Sequence, residues 1–576
     1  MQHLNSQKHQ SCTKAAGTSR KLNEIFLVHK SPLEREVLAA EATMAYHTVQ
    51  HNFSYLSCDC TNKIFKKVFK DSEIAKKFAS ARTKTEAIVN NILAPYSVNL
   101  IHTEIEKTGV DFVGVCTDGS NHGAIKMFPV LIQYFHAEKG IRYGLISFQS
   151  LKNETSSQIS EYLTTVLTKY DLLNKCVSFS GDNCNTNFGG INRRGVDNVF
   201  YRMKQSTKRE LIGVGCSAHL LHNTAHHGFD RLSVDVESLT MKIFGFFSIY
   251  TIRTEALRNF CEFVDVEFKT ILRHSKTRWL SLMPAVERIL HKYEPLRSYF
   301  NSIESPPKML ENFFKDDLNE AYLCFTHSLM SMFHENIKEL ESADCSLIET
   351  LEILDRVNDQ ISSRYTQKFL PMQVKTILRK CDNTKVCETM IEEFMQVYKN
   401  CSDYLTRWTG HFDALNVFRW MSLKKTPQWQ DVEKCGMFLK GQDIVLKENA
   451  LFDQICNLSK YVENNYEDKV FRNLHAVNKW TKYFGQVVPS AATELLKICQ
   501  YFFAIPSNNA NCERLFSNMN NFWRDDRNRL LPQSIEALLM VKFNFQMDCS
   551  TFYETILQDN NILECVRSQK KYLEKL

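Results

Sequence analysis

At 576 residues the chain is about three to four times the usual domain length, so several structural units and a large buried core are expected. Charged residues at 24% and hydrophobics at 44% exclude wholesale disorder or a fibrous repeat, and 19 glycines, roughly 3% against a usual ~7%, argue against an all-β protein. Lys and Arg number 71 against 65 Asp and Glu, a net charge of +6 that permits nucleic-acid binding without demanding it.

The first 32 residues are polar and read as a tail with no secretory signal, and no apolar run reaches the ~18 residues of a membrane span. The 19 cysteines form no small-scaffold framework and read as reduced thiols of a cytosolic or nuclear protein. Residues 33–104 show helical spacing, with Val37, Leu38, Met44, Ala45 and Val49 near one face and a helix end expected at Pro95. Texture changes at Asp111. VDFVGVCTD, MFPVLIQYF and IRYGLISFQ read as three strands with short connections, with Pro129 at the start of its strand. SSQISEYLTTVLTKYDLL reads as a helix, KCVSFSGDN as a fourth strand and, after a further helix, LIGVGCSAH as a fifth. The order β-β-β-α-β-α-β lets the first and fourth strands lie parallel after a right-handed crossover, and it resembles the ribonuclease-H-like fold. Residues 105–230 form the first part of that core. Residues 231–495 read as a large all-helical insertion without a fixed repeat, 496–550 as the last core helix with a further helical region, and 551–576 as a C-terminal tail. The fold class is thus mixed α/β and α.

Asp118, in CTDGSN, and Asp182, in SGDNCNTN, end neighbouring strands among small polar residues. Each alone reads as a turn or helix cap, whereas the pair suits a divalent-metal site, since hard cations take oxygen ligands. Asn183, Asn185 and Asn187 belong to no phosphate-binding loop pattern. Cys216, His219, His222, His226 and His227 are spaced C-x2-H-x2-H-x3-H-H, either a helical zinc face or packed and capping histidines. His3 and His9 cannot close a tetrahedral site alone, because no Cys-x2-Cys precedes them, so no zinc is expected there. Arg278 and Trp279 either stack on a base and meet a phosphate or pack against the helices. Glu513 falls in the first turn of a helix that Asn508, Asn509 or Asn511 can cap. The apolar stripe of Leu515, Phe516, Leu538 and Leu539 is either core or a dimer contact.

CTDGSN, SGDNCNTNFGG, CSAHLLHN, KTRW and NCERLFSNMN…RNRL…ALLMVKFN, in that order, resemble the hAT superfamily of DNA transposases and the cellular proteins derived from them. The resemblance spans about residues 30–550, and its C-terminal block, like the family's dimerisation region, is the most specific part. It implies catalytic and metal-holding roles for Asp118, Asp182 and Glu513, with Mg²⁺ or Mn²⁺, and places the family's C-x-x-H motif on Cys216 and His219 near the carboxylates. It implies DNA contact by Arg278 and Trp279, and makes HLNSQKH the tail of a BED-type zinc finger whose remaining ligands are His3 and His9. The expected partners are DNA, as transposon ends or host DNA, and a second copy of the chain in a homodimer or higher oligomer. No membrane is expected, and residence is expected in the nucleus. Metal-dependent cleavage and strand transfer is the implied activity. The alternative is a domesticated, catalytically silent nuclear protein that binds DNA and dimerises.

Overall fold

A computed structural model describes residues 31–191, 193, 195–273, 282–342, 345–487, 489–524, 527 and 529–572. Contacts divide the chain into two compact units, one from residues up to 101 together with 518 onwards, the other from 102–517.

The unit of 102–517 holds one mixed sheet: β1 (Val113–Cys116), β2 (Ser120–His122), β3 (Ile125–His136), β4 (Gly140–Ser150), β5 (Cys176–Gly181) and β6 (Ile212–Gly215). The long strand β3 pairs antiparallel with β4, from Met127↔Ser150 to His136↔Gly140, and antiparallel with β1 through Gly114↔Gln133. β1 pairs parallel with β5, and β5 parallel with β6. The adjacent parallel β1 and β5 expected from the sequence are present, joined through the helix Ser156–Lys169, which Thr155 caps by accepting from the Gln158 amide. β2 is an additional strand, hairpinned onto the start of β3 within what reads from the sequence as a short connection. Pro129 lies inside β3 rather than at its start. β3 is paired with β2 at 125–127 and with β1 at 131–133, so the proline falls in the gap, where a missing N–H breaks no ladder on that side.

From Ser217 the unit is helical up to the segment that returns to the sheet. Its longest helices, Glu320–Leu340, Leu347–Thr366 and Thr384–Thr409, bury stripes of Leu, Ile, Phe and Met, the spacing that makes an amphipathic helix. Ser346 and Glu349 close a capping box on the second of these. Gly228, on the helix Ser217–Phe229, has no room for a side chain: a Cβ there would stand 2.3 Å from Cys401 Sγ. Among the described residues no disulfide forms, and no helix is long and apolar enough to cross a membrane.

The other unit gathers helices from the two ends of the chain. Ser31 caps the helix Pro32–Gln50, whose fully buried Tyr46 donates its hydroxyl to the Met547 carbonyl at 2.6 Å and stacks on Phe552 at 4.1 Å. The helix expected to stop at Pro95 does not stop. A π-turn over Val89–Leu93 runs directly into the helix Ala94–Lys107, so the donor that Pro95 lacks falls where the regular four-residue ladder is already interrupted. The stretch expected as a tail is helical over Cys549–Gln558 and Asn560–Arg567, with Phe552, Ile556, Leu563 and Val566 buried.

Candidate active site

The parallel register of β1 and β5 sets the first part of the site. Cys116 stands opposite Ser180, and the Thr117 amide donates to the Ser180 carbonyl at 3.1 Å, so Asp118 and Asp182 leave their strands at equivalent positions. β6 extends the series: the Cys216 amide donates to the Gly181 carbonyl at 2.9 Å, and the helix Ser217–Phe229 starts there, with His219 in its first turn.

The third part arrives after the helical insertion. Gln133 on β3 donates its Nε2 to the carbonyls of Phe503, at 2.8 Å, and Ile505, at 3.2 Å, drawing the end of the helix Thr493–Phe503 onto the sheet. Gly114 permits this crossing, because a Cβ there would lie 2.0 Å from the Ala504 carbonyl oxygen and 2.8 Å from Pro506 Cδ. The Ser217 hydroxyl donates to the Ser507 carbonyl, and the helix Ala510–Phe522 follows. Its first turn carries Glu513, whose Oε1 stands 4.0 Å from His219 Nε2.

Electrostatics link these groups. Burial, then the Asp182 charge and more weakly that of Glu513, raise the Asp118 carboxyl from 3.8 to about 6, against the pull of the His219 charge and the Gly119 amide that donates to Asp118 Oδ1 at 2.7 Å. Asp182 accepts from Asn187 Nδ2 at 2.5 Å, and burial followed by the Asp182 charge pushes the Cys184 thiol up to about 12. Cys216, by charge and hydrogen bond, then Asp118 and Glu513 hold the His219 imidazole up at about 10 despite its burial. His222 moves the other way, to about 4, through burial and the His219 charge.

The two aspartates open onto a cleft of about 110 Å³ lined also by Thr117, Gly119 and Asn187 and edged by the Lys126–Glu154 ion pair at 2.5 Å. At ~30 Å³ per water this is room for a cation with a few waters, far short of a nucleotide. Three carboxylates are the hard oxygen donors a divalent cation takes, and the repulsion that raises Asp118 is what such a charge would remove. As the side chains stand, no group of three or more His, Cys, Asp or Glu among the described residues is gathered closely enough to hold a metal ion. The same holds for the histidine row read as a zinc face. There His226 Nδ1 faces Asp230 Oδ2 at 3.6 Å.

Arg278, Trp279, His3 and His9 lie outside the described residues. Leu515, Phe516, Leu538 and Leu539 are all buried within the single chain, so of the two roles open to them they fill that of core. Two residues were not legible as site residues. Asn187 sits in an asparagine-rich run with no recognisable pattern, and Asn509 has a side chain that faces the strand ends rather than its helix.

A comparison with curated proteins gives no match. Residues 463–545, the stretch that holds Asn509 and Glu513, match the model of the hAT family C-terminal dimerisation region, a match that supports membership of the hAT family and formation of a homodimer.

Proposed function

We propose that the chain is a hAT-type transposase or transposase-derived protein that acts on DNA in the nucleus, with Asp118, Asp182 and Glu513 as its catalytic carboxylates and Mg²⁺ or Mn²⁺ as cofactor. The observation that carries this reading is that Asp118 lies within electrostatic reach of both Asp182 and Glu513, and that Glu513, separated from the others by the whole helical insertion, stands 4.0 Å from His219 beside them. The arrangement of β3, β4, β1, β5 and β6, with β1 and β5 parallel, supports a ribonuclease-H-like core, in which ligands gather beyond the ends of adjacent parallel strands. Bound between the carboxylates, a divalent cation would supply charge neutralisation at a phosphodiester and a more acidic water. The chain's own residues do the rest: Asn187 orients Asp182, the Gly119 amide orients Asp118, and His219 presents a cationic edge beside Glu513.

The test is incubation of supercoiled plasmid with the protein and Mn²⁺. Nicked, linear and joined products that vanish in Asp118→Asn, Asp182→Asn and Glu513→Gln support the reading, and linear fragments without joined ends point to a nuclease without strand transfer. One observation favours a second reading, a silent DNA-binding and dimerising protein: the carboxylates are not drawn into coordinating distance. That reading expects intact plasmid with every variant and retained DNA binding.

A further inference from the structure

We infer that Asn509 is the positioning residue that sets Glu513 against the two aspartates, an inference that rests on the carboxylate reading above. Asn509 is 0% exposed, so no water can take over a hydrogen bond it loses. Its contacts run to every strand end that carries a site residue. The side-chain Oδ1 accepts from the Ser180 hydroxyl at 3.2 Å, two residues before Asp182, and from Cys116 Sγ at 3.8 Å, two before Asp118. Nδ2 donates to the carbonyl of Thr117 at 3.5 Å, next to Asp118. The backbone amide donates to Cys216 Sγ at 3.3 Å, three residues before His219.

The other end of the link is Glu513 itself. Its amide donates to the Asn509 carbonyl at 3.1 Å, the hydrogen bond that begins the helix. Any displacement of Asn509 is therefore passed to Glu513 through one backbone bond. The usual duty of an asparagine at this place, capping the helix with its side chain, is carried out by its neighbour: Asn508 Oδ1 accepts from the Ala510 amide at 2.9 Å. That leaves the Asn509 carboxamide free to bind the sheet. Groups hydrogen-bonded directly to metal ligands shift metal affinity by about 10–100-fold when removed; Asn509 acts one backbone bond further out, which makes the lower end of that range its ceiling.

The experiment uses the full chain and Mn²⁺ as probe, with affinity read by electron paramagnetic resonance for wild type, Asn509→Ala, Glu513→Gln, Asn509→Ala/Glu513→Gln and Asp182→Asn. Asn509→Ala is expected to weaken Mn²⁺ binding several-fold, up to about tenfold, and the double variant to bind no more weakly than Glu513→Gln alone, because the amide acts through the carboxylate. Trp480→Phe removes a buried hydrogen bond inside the helical insertion, to the Met421 carbonyl, and leaves the Asn509 contacts in place; it is expected to lower the melting temperature while keeping wild-type affinity. Unchanged affinity in Asn509→Ala, a full additive loss in the double variant, or an equal loss in Trp480→Phe overturns the inference while the carboxylate reading stands, provided Asp182→Asn abolishes binding. A wild type that takes up no Mn²⁺ overturns the carboxylate reading and this inference with it.

Discussion

Replacing Asp118 by Asn should stabilise the metal-free protein, and only above the pH at which this carboxyl ionises in the unfolded chain. Burial and the Asp182 charge lift that carboxyl from 3.8 to about 6. Between these values the native state holds a proton that the unfolded chain has released, so stability falls as pH rises from about 4 to about 6 and levels off beyond. At about 1.4 kcal/mol per tenfold, the native state gives up about 3 kcal/mol at neutral pH. Asparagine keeps the shape and cannot ionise, so Asp118→Asn recovers up to that amount at pH 7.5 and nothing near pH 4. For a unit of roughly 400 residues, with an unfolding entropy of about 2.1 cal/mol/K per residue, this is a rise of about 3–4 °C in melting temperature. Calorimetry in EDTA at both pH values measures it. Equal melting temperatures at pH 7.5, or the same gain at pH 4, would refute the reasoning.

Leu538 is 1% exposed within the chain, so Leu538→Glu buries an unpaired charge and is expected to unfold the unit built from the chain ends; a folded, soluble monomer in circular dichroism and sedimentation contradicts this. Trp480, fully buried, donates Nε1 to the Met421 carbonyl at 2.8 Å; Trp480→Ala should cost about 3–5 kcal/mol in urea unfolding, and a loss below about 1 kcal/mol would show that the insertion's core is not packed as described. Gly114→Val places a side chain where the Ala504 carbonyl crosses β1, so a loss of about 1–3 kcal/mol or more is expected, together with weakened Mn²⁺ binding; wild-type values for both would place the returning segment elsewhere.

Much of the chain is legible locally. Alternating apolar runs mark the strands, three-four spacing marks the helices, and the aspartates that end VGVCTD and SFSGD announce a shared strand edge, because parallel pairing in register carries equivalent positions to the same place. Local pattern misleads where a neighbouring element supplies or removes a hydrogen-bond requirement. Pro95 is carried through a helix by the π-turn before it, and Pro129 sits inside a strand because β1 and β2 leave a gap beside it. The stripe of Leu515, Phe516, Leu538 and Leu539 shows the same limit: periodicity says that a face is apolar but not which surface covers it, and here the chain covers its own. Composition and spacing alone thus mark five of the six strands, most of the helices and the two aspartates as the ends of paired strands. The place of Glu513, and the asparagine that joins its helix to three strand ends, are decided only by tertiary structure, because a hydrogen bond between groups hundreds of residues apart depends on how the intervening helices pack and leaves no period in the sequence.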